Sequence, residues 1–135
     1  MTTATAQTTP ATTTTARAGQ VVSGLVTAFL LFDVVIHILN IAPVIDGARA
    51  LGFDPDVMPV IGVLELVLVV LYAVPRTSVL GAVLITGYLG GAVCAQLRID
   101  APLLSTTMFP VYVGVAVWAG LWLRDARVRG LLASR

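Results

Sequence analysis

Polar and ionisable side chains lie inside or at the ends of long apolar stretches of this sequence, where they could bind a ligand or exchange protons. Asp33, His37 and Asn40 follow the i, i+4, i+7 spacing that places three residues on one face of a helix. Glu65 lies near the middle of a second apolar stretch, and Gln96 ends a third. Because a charge within lipid costs roughly 2.5–3.5 kcal/mol on insertion scales, we take these five residues as candidates for a ligand or proton site.

The chemistry of this group depends on how its two carboxylates are neutralised. If the first two helices touch, Asp33 and Glu65 lie at similar depth, and both cannot stay charged without a cation. His37 is the nearest candidate partner. A proton or ligand site and a structural hydrogen-bond cluster that fixes helix register are equally compatible with these residue types. One histidine and two carboxylates could also hold a metal, but no His-x-x-x-His or similar spacing supports that alternative, and no metal ligand is assigned. No catalytic residue is assigned.

The elements that position these residues follow from the composition. Charged residues make up 11% of the 135-residue chain and hydrophobic residues 58%, whereas an ordinary soluble domain carries about 25% charged residues. The net charge of +1 provides no basic field, so no nucleic-acid partner is expected. The single cysteine, Cys94, excludes an internal disulfide and a Cys-x-x-Cys redox pair. We predict an all-α protein, an integral membrane four-helix bundle in contact with the lipid bilayer.

Four apolar stretches have about the 20 residues that a helix needs to cross a bilayer. The predicted spans cover residues 21–39, 57–74, 78–97 and 107–123, and the turn between the second and third is so short that they must form an antiparallel hairpin. We predict a membrane domain over residues 20–130 and a short C-terminal tail over residues 131–135. Residues 1–19 are rich in Thr and Ala and have little to bury, so they are predicted to be a disordered tail.

The distribution of arginine predicts the orientation of the spans. With four crossings, both termini and the turn near Arg76 lie on one side of the membrane. That side carries six of the eight arginines, whereas the other side carries Arg49 and Arg98. By the positive-inside rule, the chain is predicted to be a multi-pass protein of the cell membrane with both termini in the cytoplasm.

Small residues in the third and fourth spans form helix-packing motifs. Gly87 and Gly91 make a G-x-x-x-G pair, and Ala116 and Gly120 have the same spacing. Such residues let helix backbones approach closely. We predict packing within the chain, with a homodimer face as the alternative. The predicted helix-packing residues are Gly87, Gly90, Gly91, Cys94, Gly114 and Gly120.

Several short motifs, taken in their order and spacing, resemble the DoxX-like family of small four-span proteins of the bacterial inner membrane. The similarity extends from about residue 21 to residue 130, and the motifs are Leu31–Ile36, Leu64–Leu66, Pro75–Thr77, Leu80–Ala82, Thr86–Ala92, Pro110–Gly114 and Leu123–Arg127. The family is named for subunits associated with quinone-linked sulfur oxidation, and its members are often discussed as redox accessory proteins. The resemblance therefore implies a membrane bundle with an accessory role.

Three functions fit these residues. The first, which we favour, is a non-enzymatic accessory or assembly subunit of a membrane complex that binds its partners through the glycine faces. The second is a redox subunit that binds a quinone or a similar small molecule near Asp33, His37 and Glu65. The third is a proton-coupled carrier, which would need a dimer because four spans are few for a transporter. We favour the first because the sequence contains no thiol pair, no haem-type histidine pair and no nucleotide loop; no cofactor is evident.

Overall fold

The computed structural model describes residues 13–133, and that part of the chain is built from six α-helices joined by short turns. The helices are α1 (Thr13–Ile38), α2 (Ala42–Ala50), α3 (Met58–Ala73), α4 (Ser78–Arg98), α5 (Phe109–Arg124) and α6 (Ala126–Ala133). A 3-10 turn at Pro55–Val57 leads into α3, and a π-helical turn at Leu103–Thr107 leads into α5. No β-strand occurs within residues 13–133.

Four helices of the described chain are long and apolar enough to cross a membrane. Helices α1 and α4 are long enough by themselves. Helices α3 and α5 are long enough together with the turns that precede them. Helix α1 packs against α3 and α5, and α4 packs against the same two helices, so α1 and α4 lie diagonally opposite each other. The fold is an all-α membrane helical bundle, and the prediction of its class is confirmed.

Helix α1 begins earlier than predicted. It starts at Thr13 rather than at residue 21, so the prediction of a disordered tail is wrong for residues 13–19. Residues 1–12 lie outside the described part of the chain. Extending an existing helix costs little. The added turns also pack on α5, because a Cβ atom on Gly19 would lie 2.5 Å from the backbone nitrogen of Arg124.

The two ends of the bundle are built differently. We call the end that holds the start of α1, the α3–α4 turn and the end of α5 the terminal half, and the opposite end the loop half. A fully buried tyrosine, Tyr72, lies in the terminal half. Its hydroxyl oxygen is 2.9 Å from the carbonyl oxygen of Val117 and 3.1 Å from the hydroxyl oxygen of Ser23. A carbonyl can only accept, so the Tyr72 hydroxyl donates to Val117 and accepts from Ser23.

Arg124 completes this group. Its guanidinium donates to the main-chain carbonyl of Tyr72 at 2.9 Å and lies 4.8 Å from the centre of the tyrosine ring. We call Ser23, Tyr72, Val117 and Arg124 the Tyr72 lock. It connects α1, α3 and α5, and it leaves the hydroxyl of Tyr72 satisfied although that side chain has no access to solvent.

Helix α6 is attached to the terminal half through Asp125 and Arg127. The Asp125 carboxylate precedes the helix and accepts from the backbone nitrogen of Arg127 at 2.9 Å and from its guanidinium at 2.8 Å. These hydrogen bonds hold the pKa of the Asp125 carboxyl below its usual range. The Arg127 guanidinium also donates to the carbonyl of Pro75 at 3.0 Å, which connects α6 to the α3–α4 turn.

Candidate functional site

Three of the predicted site residues meet in the loop half, where α1 packs against α3. Asp33 and His37 come from α1 and Glu65 from α3, and each offers a potential ligand atom within 4.8 Å of the other two. We call them the carboxylate–histidine cluster. Their proximity agrees with the spacing and depth read from the sequence, and their role as a ligand site stays a prediction.

The hydrogen bonding of His37 indicates its tautomer. The Nδ1 atom lies 2.9 Å from the main-chain oxygen of Asp33 and 3.5 Å from the Oδ2 atom of the same residue. The shorter contact is to a carbonyl oxygen, which can only accept, so Nδ1 carries a proton. In the neutral ring, the Nε2 atom of His37 therefore has a free lone pair.

Glu65 forms the buried end of the cluster. The residue is 1% exposed, and its Oε2 atom accepts a hydrogen bond from the Tyr88 hydroxyl of α4 at 3.3 Å. Its Oε1 atom is also buried and has no hydrogen-bond partner within the described chain. A buried acceptor without a partner costs free energy, so this oxygen has the capacity for one more ligand or donor. The Asp33 side chain is 30% exposed, which leaves the cluster open at its other end.

Two residues that sequence reasoning did not identify shape this cluster. Tyr88 orients Glu65 through the hydrogen bond just described. Gly62 lies one turn before Glu65, and a Cβ atom there would lie 3.0 Å from the Cβ atom of His37. The missing side chain lets α1 and α3 approach closely enough for the cluster to form. The available signals were a glycine one turn before the single acid of its span and a tyrosine inside a glycine-rich motif.

Asn40 and Gln96 form no hydrogen bond with the cluster in the described part of the chain. Asn40 has a left-handed φ of 48°, a conformation that asparagine tolerates, and it follows the end of α1. Its Nδ2 atom donates to the carbonyl of Pro55 at 3.1 Å, which ties the end of the first span to the turn before α3. Gln96 lies near the end of α4, where its backbone carbonyl accepts from the amides of Ile99 and Ala101.

The predicted packing residues of α5 are in contact with neighbouring helices. A Cβ atom on Gly120 would lie 2.6 Å from the Oγ atom of Ser23, so α1 and α5 approach closely at this point. A Cβ atom on Gly114 would lie 3.6 Å from Leu89, which is an ordinary contact. The close approach at Gly120 agrees with the packing role predicted for it, and that role stays a prediction.

The predicted packing residues of α4 make no close contact with another helix of the described chain. A Cβ atom on Gly87, Gly90 or Gly91 would meet nothing within 4 Å in the described chain, and Cys94 is exposed. The prediction of packing within the chain is wrong for these four residues. The reason is the helical period, because a different stripe of α4 faces the bundle: Ser78, Gly81, Ala82, Ile85 and Leu89. We define the outer stripe of α4 as the exposed residues Leu80, Leu84, Gly87, Gly91 and Cys94.

A groove of about 800 Å³ lies between α4 and α5. Gly90 of α4 and Gly114 of α5 line it from opposite sides, which explains why neither glycine lies close to the backbone of another helix. The walls are mostly apolar, and the Trp118 Nε1 atom donates to the Thr86 hydroxyl at 2.9 Å. None of the predicted ligand-site residues lies on the walls of this groove.

Comparison with known proteins gives one family. The family model described as the DoxX-like family matches residues 21–120, a range that includes the carboxylate–histidine cluster, Tyr88 and Gly62. No curated protein matches the chain. No solved structure matches it either.

Proposed function

The chain belongs to the DoxX-like family, and on that premise we propose that it is a non-enzymatic subunit of a membrane complex, which binds a transmembrane helix of its partner along the outer stripe of α4. The observation that carries this proposal is the open space around Gly87 and Gly91. Both glycines lie in the middle of a membrane-spanning helix whose other side is packed against the bundle.

The physical argument rests on what a glycine contributes in lipid. Glycine in a helix interior costs about 1 kcal/mol relative to alanine. A glycine that faces lipid gains no packing that would offset this cost, since acyl chains contact a larger side chain at least as well. Against another helix, two small residues four apart allow the backbones to approach and gain van der Waals contact. Leu80 and Leu84 extend the outer stripe toward the terminal half and supply apolar contact area there.

Native Cys94 gives a direct test, because it lies on the outer stripe and is the single cysteine of the chain. Labelling it in native membranes with a maleimide that carries a photoreactive group should, on illumination, produce an adduct with a second membrane protein. Gly87→Leu and Gly91→Leu should each abolish the adduct, because a leucine prevents close helix contact. Mass spectrometry of the adduct identifies the partner.

The matched control uses Gly24 of α1, which is also exposed and open. Gly24→Leu should leave the Cys94 adduct unchanged, and a cysteine moved to position 24 in a Cys94→Ala background should give none. An adduct that contains only two copies of this chain would show that the outer stripe mediates self-association and would contradict the accessory role. An adduct that persists in both leucine variants would place the partner on another face.

The proposed orientation places both termini in the cytoplasm. Within the described chain, the terminal half carries Arg17, Arg76, Arg124, Arg127 and Arg129, whereas Arg49 and Arg98 lie on the loop side. A reporter fused after Ala133 should therefore be active only as a cytoplasmic reporter, and one inserted within residues 46–54 should be active only on the outside. The reverse pattern would invert the proposed topology.

The quinone alternative lacks a specific observation in its favour. The groove between α4 and α5 has room for an isoprenoid or acyl chain, but the indole N–H of Trp118 already donates to Thr86. The residues of the carboxylate–histidine cluster, which could bind a polar ligand, do not line that groove. We therefore keep the accessory role as the proposed function.

A further inference from the structure

We propose that Asp33, His37 and Glu65 bind one divalent transition-metal ion inside the loop half, with at least one coordination position left for water or another ligand. The proposal does not depend on the docking role of α4, because the two sites use different residues on different helices. The sequence assigns no metal ligand, because the contact between α1 and α3 that brings the three residues together is a tertiary one.

The first argument is charge. Two carboxylates lie within membrane-spanning helices, and the ion pairs of the described chain give neither of them an arginine: the pairs are His37–Asp33, Arg49–Asp46 and Arg127–Asp125. Ionised carboxylates are costly at this depth. A divalent cation would balance both charges while His37 stays neutral, so the complex would carry no net charge in a medium that penalises charge.

The second argument is the free coordination capacity of the cluster. The Oε1 atom of Glu65 is buried without a partner, although Oε2 of the same carboxylate is held by Tyr88. A carboxylate that is oriented by one oxygen and unpaired at the other is the arrangement expected of a metal ligand and its supporting hydrogen bond. An acidic cluster alone would not indicate this, whereas a buried, unpaired carboxylate oxygen on a residue that lies beside Asp33 and His37 does.

The third argument is the hydrogen bond made by His37. Metal-ligating histidines commonly donate their second ring N–H to a backbone carbonyl or a carboxylate, which fixes the ring and its tautomer. Here Nδ1 donates to the main-chain oxygen of Asp33 at 2.9 Å, and Nε2 keeps the lone pair that a metal requires. Gly62 brings this ring and Glu65 onto facing sides of the α1–α3 contact.

The distances require only a small adjustment. One ring nitrogen of His37 and one carboxylate oxygen each of Asp33 and Glu65 lie within 4.8 Å of one another. In a tetrahedral site with bonds of about 2.1 Å, ligand atoms are about 3.4 Å apart. Rotation of the partly exposed Asp33 side chain can bring its carboxylate closer to the other two ligands. The same exposure provides the route by which an ion reaches Glu65.

The ligand set selects the class of metal. One imidazole and two carboxylates suit zinc, manganese, iron or cobalt in the divalent state, whereas Ca²⁺ prefers six to eight oxygen ligands. Three protein ligands also leave the open position that is typical of exchangeable rather than closed structural sites.

The test uses the full chain, purified in a mild detergent and stripped of metal with a chelator. Isothermal titration with Zn²⁺ should show one saturable site per chain. Co²⁺ should bind at the same site and give visible d–d absorption bands of a four- or five-coordinate ion. Asp33→Asn and Glu65→Gln should each weaken Zn²⁺ binding by more than about 100-fold, since changes to mere supporting residues already cost 10–100-fold.

Two variants separate this site from adventitious binding. Asp46→Asn removes an exposed acid of α2, which pairs with Arg49, and it should leave the titration unchanged. His37→Gln should both weaken binding and shift the Co²⁺ bands, because it removes the nitrogen ligand. Circular dichroism and thermal unfolding of each metal-free variant check that the bundle is intact. Asp33→Asn should disturb packing least, because the Asp33 side chain is partly exposed. Absence of saturable binding in the native chain, or equal binding in the Asp33→Asn variant, would overturn the proposal.

Discussion

Replacing Gly81 by alanine is expected to destabilise the bundle by about 3 kcal/mol, the upper end of the usual cost of overpacking. A Cβ atom at this position would lie 2.5 Å from the Cα atom of Tyr72 and 2.7 Å from the carbonyl carbon of Leu71. Both are backbone atoms of α3, so they cannot rotate away as the end of a side chain could. The α3–α4 hairpin would have to separate, which would also disturb the Tyr72 lock. Thermal unfolding of the full chain in detergent, followed by circular dichroism, measures the effect.

The control is the same substitution six residues further along the same helix. Gly87→Ala places the new methyl group in open space, so it should leave the melting temperature unchanged or raise it, because alanine favours helix by about 1 kcal/mol over glycine. Similar melting temperatures for the Gly81 and Gly87 variants would mean that α3 and α4 are not in close contact at Tyr72.

Tyr72→Phe is expected to lower the free energy of unfolding by about 1–3 kcal/mol, the cost of leaving buried polar groups without a partner. The substitution removes a hydroxyl that donates to Val117 and accepts from Ser23, while the ring can still stack under Arg124. The matched control is Tyr112→Phe, where the hydroxyl also donates to one carbonyl but the residue is 52% exposed. That change should stay within about 0.5 kcal/mol, as surface substitutions usually do.

A double-mutant cycle identifies the source of the loss. Ser23→Ala and Tyr72→Phe share one hydrogen bond, so the double variant should lose less than the sum of the two single variants. Denaturation in detergent of the four proteins gives the coupling. Strict additivity would show that Ser23 and Tyr72 do not interact, and an effect of Tyr112→Phe as large as that of Tyr72→Phe would contradict the lock as a special contact.

The sequence predicts the number and positions of the spans because the length of an apolar stretch is a one-dimensional property. It also predicts that Asp33 and His37 share a face, since both lie on one helix, and that Glu65 lies at a similar depth. The start of α1 could not be predicted in this way. Its extra turns form because an existing helix extends easily and because Gly19 contacts α5, and the second reason is a tertiary one.

The faces of the helices could not be predicted for a related reason. In a soluble helix the apolar face marks the core, but a membrane span is apolar on both its lipid and its bundle side, so periodicity carries little information. Gly81 and Gly87 therefore look alike in the sequence, although one lies against the backbone of α3 and the other is open. The same limit hid Tyr88 and Gly62, whose importance arises from the residues that they meet on other helices.

The unequal construction of the two halves has a consequence for exchange with the surroundings. The Tyr72 lock and the close approaches of Gly19, Gly81 and Gly120 lie in the terminal half. Every positive φ of the described chain (Asn40, Gly52 and Asp100) lies in the loop half, as do its two unpaired buried acceptors. Local opening follows the lowest free energy, so fraying should begin in the loop half. The protection of backbone amides from hydrogen exchange would then decrease along each helix toward the loop half. Solutes could reach Glu65 through local opening of the loop half while the terminal half stays assembled.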